Sequence, residues 1–320
     1  MTRNSERMKD GLKTEYPRGV AMEEQNKIKL TIITPHYNMP DTLRRLVDSI
    51  SKEDWIEHII VDDKSDIEPG SLNDAKAYVT AQRSIWIDNT TDKKGAGVCR
   101  DIGVEHARGK WITFIDSDDF YVEGAFQTIA KHLDDEEDII YFPPTSVFEG
   151  TNEPSQRHVP YMNLVNEYLS DRSKEHEIHL RYQSAPAVSK MIRSSMIHEN
   201  NIHSSDTPVG NDVMFSMQCA CHAKSITADE KTIYCITKSK GTLTTAKDVK
   251  RYRKRLDIYT EWLRYLKENL PEDEYAMTGI SARGLLFAGL LSYGPIELIR
   301  SIRYLRKNKV PINPFCGKVR

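Results

Sequence analysis

Asp116, Asp118 and Asp119 place three carboxylates within four positions, directly behind the apolar run "GKWITFI". That run reads as a buried strand, and a strand end has no packing use for three charges. In extended backbone alternate residues share a face, so Asp116 and Asp118 are predicted to converge while Asp119 turns away or caps the following helix. Two hard carboxylate oxygens suit Mg2+ or Mn2+, ions that keep several waters and also bind substrate phosphates. A nucleoside diphosphate leaving group needs such positive charge. The plainer alternative, that all three cap a helix starting near Val122, accounts for one carboxylate and leaves two.

Upstream, "KKGAGVCRDIG" sets Lys93, Lys94 and Arg100 around a glycine turn that opens a helix. Backbone N–H groups and cationic side chains at a helix start favour phosphate. Gly95 and Gly97 match neither a P-loop nor a dinucleotide fingerprint, so this segment is weak evidence on its own.

These groups need a frame. Short β-type runs alternate with helical patterns: "IKLTIITP", "DTLRRLVDSISK", "EHIIVDD", "SLNDAKAYVTAQR", "SIWIDN", "GAGVCRDIGVEHARG", "KWITFID", "VEGAFQTIAKHLDD" and "DIIYFPP". Such alternation, with nearly continuous apolar strands, predicts an α/β fold with a mainly parallel sheet covered on both faces. Ligands of open parallel sheets bind beyond the carboxyl ends of the strands. The strands end in "TPHYN", "DDKSD", "DNTTDKKGAG" and "DSDD", so these polar groups are predicted to line one edge. Taken singly, each loop is equally explained by turn and cap chemistry.

The chain has 320 residues, 45 Lys+Arg and 47 Asp+Glu, a balance that offers no reason to expect nucleic-acid binding. Five cysteines and no basic, apolar leader point to a reducing cytoplasmic setting. No window approaches the roughly 20 apolar residues of a spanning helix. Residues 1–27 lack apolar periodicity and read as an extension. Residues 28–145 carry the βα alternation, 146–245 read as a substrate-facing half with fewer clear strands, and 246–320 as a helical region. Two terminal helices are expected, the second bent near Gly294 and Pro295. "CACH" at Cys219–His222 fits no common zinc spacing and falls on a helix, so its thiols are expected to be buried. His36, His58 and His203 carry no information individually. The last helix joins "LLFAGLL" to Arg300, Arg303, Arg306, Lys307 and Lys309. Such an end suits the inner face of a membrane, its own domain or a second subunit.

In order along the chain, "TIITPHYN", "IIVDDKSD", "GAGVCRDIGVEHARGKWITFIDSDD", "VSKMIRSSMIHENNI" and "GNDVMF" resemble the family 2 glycosyltransferases, inverting sugar transferases of the GT-A nucleotide-sugar fold. The resemblance runs from about Lys29 to Thr244. It implies that Thr34, Pro35 and Tyr37 pack around the nucleotide base and that Asp62 and Asp63 approach base and ribose, Asp62 more directly. Arg100 is implied to approach the nucleotide, and Lys94 joins it as a candidate nucleotide contact from the glycine turn. Asp116, Ser117 and Asp118 match the family's D-x-D, with Asp116 and Asp118 as ligands of Mn2+ or Mg2+. Lys190 matches a position near the substrates, and Lys238, Lys240 and Thr242 match a loop that closes on the diphosphate.

"GNDVMF" resembles the family's G-E-D-x-x-F, which makes Asp212 the general base. Such a group takes the proton of a sugar hydroxyl as it attacks the anomeric carbon. Asn211 stands where the family has Glu, and Asp101 where an Asn is common. Cys235 replaces a frequent tyrosine. A carboxylate at a helix start is the structural alternative for Asp212. The implied donor is a UDP-sugar and the implied acceptor a saccharide or lipid-linked glycan in bacterial surface polysaccharide synthesis. A homodimer is compatible with this reading. A sugar-phosphate nucleotidyltransferase, or a non-catalytic nucleotide-binding scaffold favoured by Asn211, are the rivals.

Overall fold

The computed structural model describes residues 27–205, 207, 210–239, 248–310 and 312. Lys240, Thr242, Cys316 and all but the last residue of the expected 1–27 extension therefore lie outside the described residues. The first half runs β1 (Leu30–His36), α1 (Pro40–Ser49), β2 (Ile56–Asp62), α2 (Pro69–Ala81), β3 (Ile85–Asp88), α3 (Ala96–His106), β4 (Trp111–Phe114), β5 (Phe120–Tyr121), α4 (Ala125–Lys131) and β6 (Ile139–Tyr141). The middle follows with β7 (Thr145–Phe148), α5 (Val159–Asp171), α6 (Lys174–Gln183), β8 (Lys190–Arg193), α7 (Ser194–Glu199), α8 (Val213–His222), β9 (Ile226–Ala228) and β10 (Tyr234–Lys238). The end is helical: α9 (Val249–Asn269), α10 (Glu272–Met277), α11 (Arg283–Tyr293) and α12 (Pro295–Lys307).

A seven-stranded sheet has the order β3-β2-β1-β4-β8-β6-β9, with β8 antiparallel to both its neighbours and the other pairs parallel. It is the mixed, mainly parallel α/β sheet that the alternation predicts. Leu30, Ile32, Ile33, Trp111, Ile112 and Phe114 are fully buried, as strands covered on both faces require. Helix α1 turns Leu43, Leu46 and Val47 inward at helical spacing. Register then does the positioning: His36 pairs with Asp62, and Asp62 with Asp88, so the polar strand ends form one row.

Three elements differ from the sequence expectation. Strand β4 stops at Phe114, and residues 116–119 form a turn closed by the Asp119 N–H on the Asp116 carbonyl at 3.0 Å. The acidic residues therefore meet through a turn and not through strand alternation. The next helix starts at Ala125 behind Gly124, so none of the three caps it. The region after residue 145, expected to be poor in strands, supplies β7 to β10, and β8 and β9 enter the main sheet across that point. At the C-terminus Gly294, at φ 82°, breaks the expected bent helix into α11 and α12. No helix among the described residues is long and apolar enough to cross a membrane.

Candidate active site

A cavity of about 410 Å3 opens at the carboxyl ends of β1, β2 and β4. Its lining includes Pro35, His36, Tyr37, Asp63, Arg100, Asp116, Ser117, Asp118, Asn211 and Asp212. A second cavity, about 270 Å3, shares Asp116 and Asp212 with the first and is otherwise walled by Arg157, Pro160, Tyr161, Leu164, Pro186 and Val188, among others.

The acidic turn is held from below by β10. The Tyr234 hydroxyl accepts the Asp116 N–H at 3.3 Å and donates to Asp119 Oδ2 at 2.5 Å, while the Thr237 N–H donates to Asp119 Oδ1 at 2.7 Å. Arg45 adds hydrogen bonds to the Asp118 carbonyl and to Thr237 Oγ1. One ligand oxygen from each of Asp116, Asp118 and Asp119 lies within 4.8 Å of the others. Burial, and then the Asp116 charge, push the Asp118 carboxyl up to about 6. Burial with Asp118 and Asp116 drives Asp119 well above the usual carboxylate range. This is a pocket of negative charge with too little compensation, the environment that a hard cation relieves. Both Asp119 oxygens are already occupied by β10, so Asp116 and Asp118 remain the groups able to hold a metal.

Arg100 joins the two halves of the site. Only 4% exposed, it donates to Asp116 Oδ1 at 2.7 Å and to Asn211 Oδ1 at 2.6 Å, a residue 111 positions away. Burial works against its charge, but Asp116 and Asp212 more than restore it, and its pKa is raised. The segment carrying Asn211 and Asp212 lies against the start of α3 because Gly97 lets it. A Cβ there would sit 2.8 Å from the Ser205 carbonyl and 3.1 Å from Asn211 Cβ. Asp101 fastens the same segment by accepting the Ser204 N–H at 2.9 Å. Asp212 occupies the N-cap position of α8 but makes no side-chain cap bond, and Oδ2 accepts only a long 3.3 Å contact from the Ala187 N–H. Its carboxylate faces both cavities instead of serving the helix.

Several predicted contacts stand elsewhere. Asp62, expected as the more direct nucleotide contact, is turned from the cavity and accepts from His36 Nδ1 at 2.8 Å and Ser65 Oγ at 2.6 Å. Burial works against its charge, yet these hydrogen bonds lower its pKa. Its neighbour Asp63 lines the cavity, held by Asn89 Nδ2 at 2.9 Å and the Gly95 N–H at 2.7 Å. Thr34 is fully buried, with Oγ1 3.0 Å from His58 Nε2. Lys190 is also buried: Nζ donates to the Ser184 carbonyl at 2.9 Å and lies 5.0 Å from the Tyr141 ring centroid. Burial holds it down to about 7, against the pull of Cys219 and Asp212. It lines neither cavity. Lys94 sits at the rim, 5.0 Å from the centroid of the Tyr37 ring. Cys219 of "CACH" is a buried free thiol on α8, and Cys221 a half-buried one.

Sequence reasoning passed over Met39 and gave His36, Tyr234 and Thr237 no role of their own. The place of His36 at a strand end was a usable signal. The part played by Tyr234 and Thr237 depends on a pairing over more than a hundred residues and had none.

Residues 31–195, 165 of 320, match the model of Glycosyl transferase family 2. The chain belongs to this family. The "Putative glycosyltransferase EpsH" of Bacillus subtilis (strain 168) is 24% identical over 254 residues, covering 77% of this chain and 71% of its own. The poly(ribitol-phosphate) beta-N-acetylglucosaminyltransferase TarS of Staphylococcus aureus is 22% identical over 223 residues, 67% of this chain but only 36% of TarS. The crystal structure of TarS 1–349 in complex with UDP-GlcNAc superposes with a TM-score of 0.67 at 19% identity, covering 88% of this chain and 81% of that one. The mannosyltransferase PcManGT from Pyrobaculum calidifontis, in complex with GDP-Man and Mn2+, gives 0.55 at 13% identity, covering 88% and 75%. The fold is that of the GT-A glycosyltransferases, and the protein is a family 2 glycosyltransferase.

Proposed function

We propose that this family 2 glycosyltransferase moves a sugar, with inversion, from a UDP-sugar in the first cavity to a hydroxyl of a saccharide or lipid-linked glycan in the second. The observation that carries this reading is the position of Asp212 on the wall common to both cavities, free of a capping bond. The acceptor oxygen bonds to the anomeric carbon, the bond from that carbon to the diphosphate oxygen breaks with its electron pair leaving on the diphosphate, and Asp212 takes the hydroxyl proton. A single displacement of this kind inverts the carbon. Asp63 is placed for the nucleoside and Tyr37 for its base. Arg100 holds Asp116 in place and brings positive charge close to where the diphosphate lies. Asp116 and Asp118 would hold Mg2+ or Mn2+, whose charge offsets that of the departing diphosphate.

UDP is preferred because TarS, a relative by both sequence and fold, was solved with UDP-GlcNAc and UDP. Family membership and the two joined cavities favour sugar transfer over nucleotidyl transfer. The Asn211 departure does not favour a scaffold, because its amide oxygen keeps the bond to Arg100. The test is Asp212→Asn: UDP-sugar binding by calorimetry should stay within about threefold while turnover falls about a hundred- to ten-thousandfold. Undiminished turnover would remove Asp212 from the mechanism. Binding of GDP-sugars but not UDP-sugars would overturn the donor assignment.

A further inference from the structure

We infer that the hairpin of α11 and α12 is a docking surface for an anionic lipid bilayer. The inner side of the hairpin is accounted for: Leu286 and Leu305 pack with Leu256 and Leu263 of α9 in a small core of their own. The outer side has no cover among the described residues. Phe287 (62% exposed) and Leu291 (69%) lie one helical turn apart on α11, and Ile296 (67%) and Ile299 (49%) follow immediately beyond the Gly294 turn. A helix apolar on both faces is one that expects a second apolar environment. Singly exposed apolar residues are ordinary, but four flanking one turn form a patch.

Charge selects the partner. Between Ala282 and Val310 six Lys and Arg residues stand against one carboxylate, in a chain whose net charge is −2. That carboxylate, Glu297, is buried; it pairs with Arg253 at 2.6 Å and more loosely with Arg300 at 3.6 Å, so it offsets Arg300 in part and leaves Arg303 and Lys307 outside its ion pairs. On α12 Arg300, Arg303 and Lys307 are exposed and share the face of Ile296 and Ile299 at helical spacing, further along the helix. The hairpin is thus apolar at its tip and cationic along its stem. A tip entering the acyl boundary, with the stem on anionic headgroups, satisfies both parts. A second copy does not, since a two-fold contact through this face would bring each cationic row near its own copy.

The inference is independent of the sugar-transfer mechanism. It is tested with the full chain by flotation on vesicles of phosphatidylcholine and phosphatidylglycerol in equal parts, and on phosphatidylcholine alone. Binding is expected to the anionic vesicles, to weaken as salt is raised, and to be absent on the neutral ones. The Arg300→Glu, Arg303→Glu double variant should lower partitioning at least about thirtyfold, and Phe287→Ser with Leu291→Ser should lower it independently. All four side chains are exposed, so the circular dichroism spectrum should not change. Absence of binding to the anionic vesicles overturns the inference. So does a concentration-dependent dimer in sedimentation that Leu291→Ser disperses without any change in flotation.

Discussion

The two cavities that meet at Asp116 and Asp212 are built on opposite plans. In the first, polar groups are tied to one another across strand ends before any ligand arrives: His36 to Asp62, Asp63 to Asn89 and Gly95, Arg100 to Asp116 and Asn211. In the second, Pro160, Tyr161, Leu164, Pro186, Val188 and Ile236 supply shape, with Arg157 as the exposed cation of the wall. The contrast suits the different work proposed for each side. A charged diphosphate needs fixed dipoles and charges, because reorganising them during the reaction raises the barrier. A saccharide acceptor needs only to be held with one hydroxyl facing the base.

The contrast can be broken most severely at the shared wall, with the loss of turnover already expected for Asp212→Asn. Next in size, Asp118→Asn should weaken Mg2+- or Mn2+-dependent donor binding by at least about tenfold with little change in melting temperature. Asp119→Ala should do the reverse first, lowering the melting temperature by freeing Tyr234 and the Thr237 N–H, a loss of about 1–3 kcal/mol. If Asp118→Asn melted early and Asp119→Ala did not, their roles here would be exchanged. A smaller effect is expected on the second side. Leu164→Ala should raise the acceptor KM several-fold at constant kcat for donor hydrolysis, and equal damage to both rates would show that the cavities are not separate in function.

A prediction of another kind, on stability against pH, concerns Lys190. Burial sets its pKa at about 7 in the folded chain, against the ordinary 10.5 when unfolded. Between those values the unfolded chain binds a proton that the folded chain lacks, so Lys190 makes stability rise with pH from about 7 to about 10.5 and contributes no slope above or below. Urea unfolding across that range should show the rise in the parent and its loss in Lys190→Met. An equal slope in both would place the lysine in water.

Amino-acid sequence alone determined the alternation of strands and helices, because apolar periodicity and turn residues act over a few positions. It determined too that acidic groups gather at the ends of β2, β3 and β4, and that a second acidic site follows near residue 212. Tertiary structure decided which of these groups face the cavity. Asp62 and Asp63 are adjacent and chemically alike, yet His36 and Ser65 claim one while Asn89 and Gly95 aim the other. The acidic turn takes its shape from Tyr234 and Thr237 on β10, and Lys190 is drawn beneath the floor by the Ser184 carbonyl and the aromatic ring of Tyr141. Backbone preference is local and readable in order. The orientation of a polar side chain is set by whichever distant partner satisfies it, and that partner exists only once the chain has folded.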